Sequence, residues 1–362
     1  MMKRGYLFFA LSILPLSLVA QRISDTVSTK VFGINGHINT VKEVTYHCTE
    51  RNGEIALGSF AEKDDFAYKI SDYKTNHSYH FDAKGRMISK EEYSSPTNPY
   101  IKTNVKYDGS KITQVVSTYY FSDIGTKTAK KIFNYDAKGF LIRESDYSIW
   151  GNLTTRIVYT YDSYGNMISR KEYDGDGDLG DYIMITYRYS EEGSLIYKKE
   201  TEYEDLMGYN HIYTYHYDNK GRMIRERWDW DNSTIRNYYH TYDETNRLIE
   251  SLDKASDENT IKGTVSYTYD DSGRLASVEH IYSWWKQINN QEDEYWIEKF
   301  YKAEKIETIK KYKDNRLVQV VENGNTFSYE YKNDSRGNWI QVIERKNTVP
   351  TLIKKRTITY YN

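Results

Sequence analysis

The sequence predicts an all-β fold: a repeat array of antiparallel β-hairpins that form a continuous sheet, either curled or elongated. Two observations support this prediction. Tyr is unusually common, with 38 Tyr against 11 Phe and 4 Pro in 362 residues, and Tyr suits strands because its ring packs on a half-buried pleated surface while its hydroxyl reaches water. A short phrase also recurs at a nearly constant interval, which is the signature of a repeat architecture.

The repeated phrase consists of an aromatic residue, any residue, a second aromatic residue, Asp, two variable residues, Gly, one variable residue and two aliphatic residues. Clear copies occupy residues 79–88, 133–142, 159–168, 187–196, 215–224 and 267–276, and looser copies occupy 106–112, 240–249 and 329–340. The phrase places Asp at positions 82, 108, 136 and 162, with intervals of 26, 28 and 26 residues. We therefore predict about ten hairpins, joined by polar return connections of variable sequence.

Asp and Gly at this spacing are typical of a tight turn. Asp favours the first position because its carboxylate accepts a backbone N–H two residues later, and Gly adopts the positive φ that returns the chain to the second strand. Two copies vary the pattern: Ser190 replaces the Asp in residues 187–196, and Asn246 replaces the Gly in residues 240–249. The predicted structural turn residues are Asp82 with Gly85, Asp136 with Gly139, Asp162 with Gly165, Asp218 with Gly221, and Asp270 with Gly273.

The turn also predicts a register for the hairpin strands. It places Tyr217 opposite Met223 and His216 opposite Ile224, and in several copies it places the turn Asp opposite the Arg that follows the Gly. Aromatic–aliphatic pairs and opposite charges across strands both stabilise a hairpin. Each repeat is therefore expected to be a structural unit, with the Asp serving the turn rather than catalysis.

The segment Tyr159–Ile168, YTYDSYGNMI, resembles the YD repeat of the RHS/YD-repeat family, and the resemblance extends over roughly residues 79–361. Such repeats build long antiparallel sheets, which in large relatives coil into a hollow shell around a toxic cargo. The resemblance implies a similar sheet, export, and an envelope or surface role with carbohydrate binding. The chain is short for a closed shell and shows no C-terminal toxin or protease-like segment, so we do not expect encapsulation.

The N-terminal segment is predicted to direct export. Residues 1–20 form a secretory signal peptide, because Lys3 and Arg4 precede an apolar run that ends at Ala20. Residues 21–40 are a polar lead-in, and residues 41–362 form the repeat array. We expect a periplasmic, cell-surface or extracellular protein with no transmembrane span after signal cleavage. Cys48 is the only cysteine, so an intramolecular disulfide is excluded.

The distribution of charge argues against two other classes of protein. Lys and Arg number 50 and Asp and Glu number 52, interleaved without a basic stripe, which disfavours nucleic-acid binding. A transmembrane β-barrel requires strands with one apolar face. Here charged residues enter both faces, as in Ile168–Asp174, ISRKEYD, so that class is disfavoured too.

Two stretches are candidate binding sites. The acidic stretch Asp174–Asp181, DGDGDLGD, resembles the start of a calcium loop, but Leu179 occupies the sixth place and Ile185 the twelfth, where Gly and Glu are required. We interpret it as an acidic turn and leave calcium open. Four Trp residues are either platforms for sugar rings or packing between hairpins; they are Trp228, Trp230, Trp284 and Trp285.

Signatures of catalysis or of a cofactor are weak in this sequence. The eight His are scattered, and the closest two, His77 and His80, should point to opposite faces of a strand. We predict no enzyme activity, no cofactor and no metal. The predicted function is a non-catalytic exported scaffold at the cell envelope or surface, with glycans or a surface protein as partners. Two alternatives remain: a carbohydrate-active hydrolase with a carboxylate pair, and a shortened shell protein that shields a polypeptide.

Overall fold

A computed structural model describes residues 34–61, 76–204, 208–230, 234–254, 261–282, 285–292, 295–302, 306–322 and 324–361. The predicted signal peptide and most of the lead-in lie outside the described residues. Within the described part, the chain is built from strands, and it has no helix that is long and apolar enough to cross a membrane.

The described residues form twenty-five strands. They are β1 Ile38–Arg51, β2 Glu54–Phe60, β3 His77–Phe81, β4 Met87–Tyr93, β5 Pro99–Asp108, β6 Lys111–Phe121, β7 Gly125–Tyr135, β8 Leu141–Tyr147, β9 Leu153–Tyr161, β10 Met167–Asp174, β11 Leu179–Tyr189, β12 Leu195–Glu204, β13 Tyr209–Tyr217, β14 Met223–Trp230, β15 Thr234–Tyr242, β16 Leu248–Lys254, β17 Ile261–Tyr269, β18 Leu275–Tyr282, β19 Trp285–Glu292, β20 Tyr295–Lys302, β21 Ile306–Lys313, β22 Arg316–Glu322, β23 Asn325–Asn333, β24 Trp339–Lys346 and β25 Val349–Tyr360.

The strands form a closed antiparallel barrel of 22 strands. Successive strands pair with each other from β3 to β18, β18 pairs directly with β21, and β21 to β25 continue the sheet. Strand β1 then joins both ends, because it pairs with β25 along most of its length and with β3 over Thr40–Glu43. The far half of β1 pairs with β2, and β19 pairs with β20 in a separate hairpin.

The expectation of an open, curled or elongated sheet is therefore wrong, although the all-β antiparallel class is confirmed. The physical reason lies in β1, which is longer than its neighbours and carries no copy of the repeat. Its two edges satisfy the free edges of β25 and β3, and pairing removes the unsatisfied backbone groups that an open sheet would leave at both ends. We call the junction of β25, β1 and β3 the closure seam.

The two faces of the sheet differ in burial. Side chains alternate along each strand, and in β11 Ile185 is 6% exposed while the preceding Met184 is 43% exposed. The buried positions continue across neighbouring strands, as in the paired Phe81 and Met87, which are both 0% exposed. Side chains converge on the inside of a closed sheet, so we assign the buried face to the inside of the barrel and call it the inner face.

The Asp–Gly turns lie together at one end of the barrel, which we call the turn rim. In the hairpin of β13 and β14, the Gly221 N–H donates to the Asp218 carbonyl at 3.0 Å, and the Asp218 carboxylate accepts the Arg222 N–H at 2.9 Å. Gly221 has φ +75°, and Asn246, which stands in the Gly position of β15–β16, has φ +67°. The return connections form the opposite end, the return rim.

The predicted register is confirmed in part. Tyr217 lies opposite Met223, as expected, but His216 lies opposite Arg225 instead of Ile224. The cause is a bulge, in which two residues of β14 oppose one position of β13 and the register shifts by one. The same shift follows the turn in most of the other copies, for example at Met167 and Leu141.

Consecutive repeats are joined by Tyr hydroxyls. The second aromatic residue of a copy donates its hydroxyl to the backbone carbonyl of the aliphatic residue in the preceding copy, and the donors and acceptors are Tyr107 and Met87, Tyr135 and Ile112, Tyr161 and Leu141, Tyr242 and Met223, Tyr269 and Leu248, and Tyr331 and Leu317. The Arg after the turn packs over the same ring, as Arg222 does 4.9 Å from the centre of Tyr242. Phe could not make this hydrogen bond, which explains the excess of Tyr.

The apolar core flanks the closure seam on the inner face. One cluster comprises Ile38, Val41, Tyr79, Phe81, Met87, Val105, Ile112, Val115, Phe133 and Leu141, and a second comprises Ala61, Leu317, Val320, Tyr329, Trp339, Val342 and Leu352. Both clusters are formed by strands at the two ends of the sequence. The middle strands, β10 to β17, contribute few fully buried apolar side chains, and there the inner face is polar and aromatic.

Candidate functional site

The inner face of β12 to β14 brings carboxylates and aromatic rings into adjacent rows. The register places Glu200 opposite Tyr213, and Tyr213 opposite Trp228. It likewise places Tyr215 opposite Glu226. We call the following six residues the inner patch: Glu200, Glu202, Tyr213, Tyr215, Glu226 and Trp228.

Hydrogen bonds hold the side chains of the inner patch together. The Trp228 Nε1–H donates to Glu226 Oε1 at 2.5 Å, and the Tyr215 hydroxyl donates to Glu200 Oε2 at 3.4 Å. The Trp228 ring meets Tyr213 edge to face, with centroids 6.0 Å apart, which is a favourable aromatic geometry. The carboxylates are therefore positioned by aromatic donors in a half-buried setting.

Lys198 forms an ion pair with Glu200. Burial raises the pKa of the Glu226 carboxyl, with a further contribution from the charge of Glu200, whereas the Trp228 hydrogen bond and Lys198 oppose the shift. The charged form of Glu226 is therefore disfavoured in this protein, and a buried carboxylate with incomplete compensation is typical of functional sites.

The pKa of the Glu202 carboxyl is raised in the same direction as that of Glu226. Burial raises its pKa, the facing His211 opposes that shift, and the acidic neighbours Glu204 and Asp181 add to it. His211 itself lies 3.3 Å from Glu204, between Nε2 and Oε1. The inner patch thus continues into an acidic row on β12 and reaches β11 through Asp181.

The strands beyond the inner patch carry neutral or paired polar groups. Burial lowers the pKa of His240 to about 4, so this imidazole is neutral at pH 7, and its Nδ1 lies 2.8 Å from the Ser251 hydroxyl. Asp253 pairs with Arg236 at 3.1 Å, and burial raises the pKa of the Asp253 carboxyl despite that pairing. Polar character therefore extends over the inner face of β15 and β16.

The candidate Trp residues are placed in part. Trp228 belongs to the inner patch, and Trp230 continues the same inner row towards the return rim, where it is 36% exposed and its ring lies 5.9 Å from that of Trp228. Trp284 and the side chain of Trp285 lie outside the described residues. In the WDW stretch, one indole is therefore half-buried against Tyr213 and the other is exposed at the rim.

The acidic stretch Asp174–Asp181 forms a turn at the return rim. The Asp174 carboxylate accepts the backbone N–H groups of Asp176, Gly177 and Asp178 at 2.9–3.0 Å. Across the described residues, no group of three or more His, Cys, Asp and Glu side chains is arranged to hold a metal ion. The stretch contributes to the candidate site through Asp181 alone.

The predicted turn carboxylates lie at the turn rim, in the turns themselves. For Asp218, burial opposes the change, but hydrogen bonds from Arg222 and Lys220 lower the pKa of the carboxyl. His77 and His80 lie on opposite faces of β3, as predicted, with His77 3.4 Å from Glu92 on the inner side. Cys48 is buried, and burial raises the pKa of its thiol, which makes it a weak nucleophile.

Sequence reasoning missed the carboxylates of the inner patch. Their signal is the alternation in KKETEYE, where Glu200, Glu202 and Glu204 share one face of β12, next to the aromatic alternation of IYTYHY in β13. The two patterns became informative only when strand pairing placed them side by side.

No family model matches the chain, and no curated protein matches it. Thirty-eight chains of solved structures match. A porin-like protein from Bacteroides uniformis has 12% identity and a TM-score of 0.27, with 72% of this chain and 95% of that chain covered. A porin-like protein from Bacteroides vulgatus has 9% identity and a TM-score of 0.25, with 65% and 99% covered.

A third match is the TcdB2-TccC3-TEV structure, with 9% identity and a TM-score of 0.20; it covers 84% of this chain but only 21% of that chain. Similarities at these TM-scores carry no argument about the function of this protein. The resemblance to the RHS/YD-repeat family therefore rests on the repeated phrase.

Proposed function

We propose that the protein is a non-catalytic exported scaffold of the cell envelope or surface, and that its inner patch and Trp230 bind glycans. The supporting observation is the juxtaposition of Trp228 and Tyr213 with Glu200 and Glu226 on one face. Aromatic rings pack against the apolar C–H faces of sugars, and carboxylates accept hydrogen bonds from sugar hydroxyls. A neutral polar ligand would also supply donors to carboxylates whose burial is poorly compensated.

The outer face supports a polar environment around the barrel. Arg225 and Arg227 alternate with the inner residues of β14, and Lys199 does the same in β12, so all three lie on the outer face. A charged side chain that faces lipid costs about 2–4 kcal/mol at the bilayer midplane. These residues favour a barrel surrounded by water and polar envelope components over one embedded in lipid.

Titration of the purified mature protein with a panel of envelope polysaccharides, followed by Trp emission, tests the proposal. We expect a saturable shift with at least one glycan, and Trp230→Ala should weaken its affinity roughly tenfold, because Trp side chains are among those that contribute most to binding. Trp150→Ala, at an exposed return turn on other strands, is the matched control and should leave the affinity unchanged. Absence of binding to every polysaccharide would overturn the glycan proposal.

A carbohydrate-active hydrolase is the second candidate, and the raised pKa values of Glu202 and Glu226 favour it. Glycosidases pair a general acid, a carboxyl whose pKa is raised, with a second carboxylate. Release of reducing sugar from any of the same polysaccharides, lost in Glu226→Gln, would replace the scaffold proposal by this one. We expect no release above the buffer control.

The closed ring of strands favours a third role, a shell that shields a polypeptide. Co-purification of one defined polypeptide with the mature protein, protected from added protease until the barrel is unfolded, would support that role. We expect the purified barrel to carry no stoichiometric polypeptide.

A further inference from the structure

Exposed apolar side chains are distributed unequally between the two rims. Among the described residues of the turn rim, Tyr164 is the exposed aromatic residue, at 80%, and four exposed Ile residues lie just after the turns: Ile88, Ile142, Ile196 and Ile224. The return rim carries more exposed residues, and five of them are aromatic: Tyr100, Tyr120, Phe121, Trp150 and Trp230, together with Ile124, Leu179, Ile261 and Val349. Scattered exposed apolar residues are ordinary, but a concentration at one end of a molecule marks an interaction surface.

Five of these residues are contiguous in the sheet. They occupy the return ends of β5 and β6, the β6–β7 turn and the β8–β9 turn, and these strands are consecutive neighbours. At about 4.8 Å between strands, the group spans about 20 Å. We call Tyr100, Tyr120, Phe121, Ile124 and Trp150 the aromatic rim sector.

The turn between β8 and β9 holds Trp150 outward. The Gly151 N–H donates to the Ser148 carbonyl at 3.0 Å, and the Trp150 N–H donates to the Ser148 hydroxyl at 3.2 Å. This is the same turn as at the opposite rim, with Ser in place of Asp. The indole is consequently fixed at the tip of an ordered turn, 65% exposed, so a ligand surface would meet it without an ordering cost for the backbone.

A lysine ammonium group lies beside the sector. Lys127 of β7 places its Nζ 4.8 Å from the centre of the Trp150 ring. Lys130 lies on the opposite face of β7, with its Nζ 4.6 Å from the centre of the Tyr147 ring, and Asp123 is an acidic residue between Phe121 and Ile124. The sector thus combines Trp, Tyr, Phe and Ile side chains with one lysine directly at the Trp150 ring.

We propose that the aromatic rim sector docks the barrel onto an anionic lipid surface. Trp and Tyr favour the boundary between headgroups and acyl chains because one part of each ring system is apolar and another forms hydrogen bonds. Phe121 and Ile124 enter the apolar layer beside them, while Lys127 meets the lipid phosphates. Contact through turn tips along a 20 Å arc is the geometry of shallow insertion and leaves the charged outer face of the barrel in water.

Co-sedimentation of the purified mature protein with vesicles tests this proposal. The probes are vesicles of phosphatidylcholine alone and vesicles of phosphatidylcholine with one quarter phosphatidylglycerol, a fraction of about 25% chosen to give a negative surface potential. We expect binding to the anionic vesicles, with a blue shift of Trp emission. The double variant Trp150→Ala/Ile124→Ser should bind at least tenfold more weakly, as expected from the loss of about two buried apolar side chains.

The matched control is Tyr164→Ala, which removes an exposed ring from the opposite rim and should bind as the wild type does. Lys127→Gln should weaken binding to anionic vesicles and reduce its dependence on salt, because exposed charges are screened within about 10 Å at 0.1 M salt. Unchanged circular dichroism spectra would exclude unfolding of the variants.

Three results would overturn the proposal: no binding to anionic vesicles, equal binding by the double variant, or a loss that Tyr164→Ala reproduces. If Trp150→Ala abolished binding to a polysaccharide instead, the sector would be a glycan site and the lipid assignment would be wrong. The glycan proposal depends on β12 to β14 and is tested through Trp230, so the two proposals fail independently.

Discussion

The closure seam holds a fully buried carboxylate on the inner face and the inner patch holds half-buried ones, and the two regions give their carboxylates different partners. At the seam, Glu43 is 0% exposed, and its Oε1 accepts hydrogen bonds from Arg356 Nε at 2.8 Å and Nη2 at 2.5 Å. The Arg356 guanidinium in turn lies 3.4 Å from the centre of the Trp339 ring. In the patch, Glu226 meets an indole N–H, and Lys198 is engaged by Glu200.

This difference indicates that the seam carboxylate stabilises the fold, whereas the patch carboxylates on the same face serve ligand binding. A buried carboxylate with a guanidinium partner contributes to closing the ring, since loss of either group leaves a buried charge. A buried carboxylate without such a partner is a cost to the fold, and proteins keep such costs mainly at functional sites. The seam should therefore be sensitive to substitution in stability, and the patch in ligand binding.

The largest effect is expected from breaking the seam ion pair. Arg356→Met should lower the free energy of unfolding by about 3–5 kcal/mol, because Glu43 then remains buried without its cation. Urea unfolding at pH 7 measures this. The double variant Glu43→Met/Arg356→Met should recover most of the loss, since the two side chains are replaced by apolar groups of similar length. A loss below about 1 kcal/mol in the single variant would place the seam on a par with an exposed ion pair.

The next effect is a contrast in pH dependence between Glu92, beside the seam, and Glu226, in the patch. A hydrogen bond from His77, aided by Lys90, lowers the pKa of Glu92 to about 2. Its contribution of roughly 2–3 kcal/mol is present above the ordinary pKa of 4.5 and is lost as pH falls from there towards 2. The pKa of Glu226 is raised, so the folded protein binds this proton more tightly than the unfolded chain does. The stability of the wild type, compared with that of Glu226→Gln, should therefore increase as pH falls from the raised pKa towards 4.5.

Urea unfolding of the wild type, Glu92→Gln and Glu226→Gln between pH 7 and pH 3 measures both slopes. On acidification, the stability advantage of the wild type over Glu92→Gln should shrink. Over the same pH range, the stability of the wild type should rise relative to that of Glu226→Gln. Two slopes of the same sign would mean that the seam and the patch do not differ in the way described.

The turn rim provides a smaller effect that is independent of both regions. Gly165 has φ +87°, and a Cβ there would lie 2.7 Å from the Cζ atom of Phe140, whereas Gly221 has φ +75° with open space around it. Gly165→Val should cost about 2 kcal/mol or more, from strain and the clash together, and Gly221→Val about 1 kcal/mol from strain. Thermal unfolding compares them, and a neutral result at Gly165 would contradict the turn geometry.

The smallest effect concerns the hydrogen bonds between repeats. Tyr242→Phe removes the hydroxyl that donates to the Met223 carbonyl at 2.8 Å and should cost about 1 kcal/mol. Tyr164→Phe, at an exposed turn tip, is the matched control. If both variants unfolded at the same urea concentration as the wild type, the hydroxyl would not explain why Tyr prevails over Phe at this position.

Sequence reasoning recovered the local features of the fold, because these depend on neighbours within one repeat. The pairing of Tyr217 with Met223 follows from the turn alone, but the shift of His216 to Arg225 depends on a bulge that leaves no signature in the phrase. Closure depends on β1 meeting β25 more than 300 residues away, and no local pattern encodes such a contact. The glutamates of the patch were hidden for the same reason, since their aromatic neighbours lie on other strands.

The most direct test of the central claim compares two substitutions that each replace one inner-face carboxyl by an amide, Glu43→Gln and Glu226→Gln, by urea unfolding at pH 7. The account predicts opposite signs: Glu43→Gln should lower the free energy of unfolding by several kcal/mol, because Arg356 loses its ionic partner in the buried seam, and Glu226→Gln should leave it unchanged or raise it. A comparable loss of stability in both variants would contradict the account, because the patch carboxylate would then be part of the framework of the barrel.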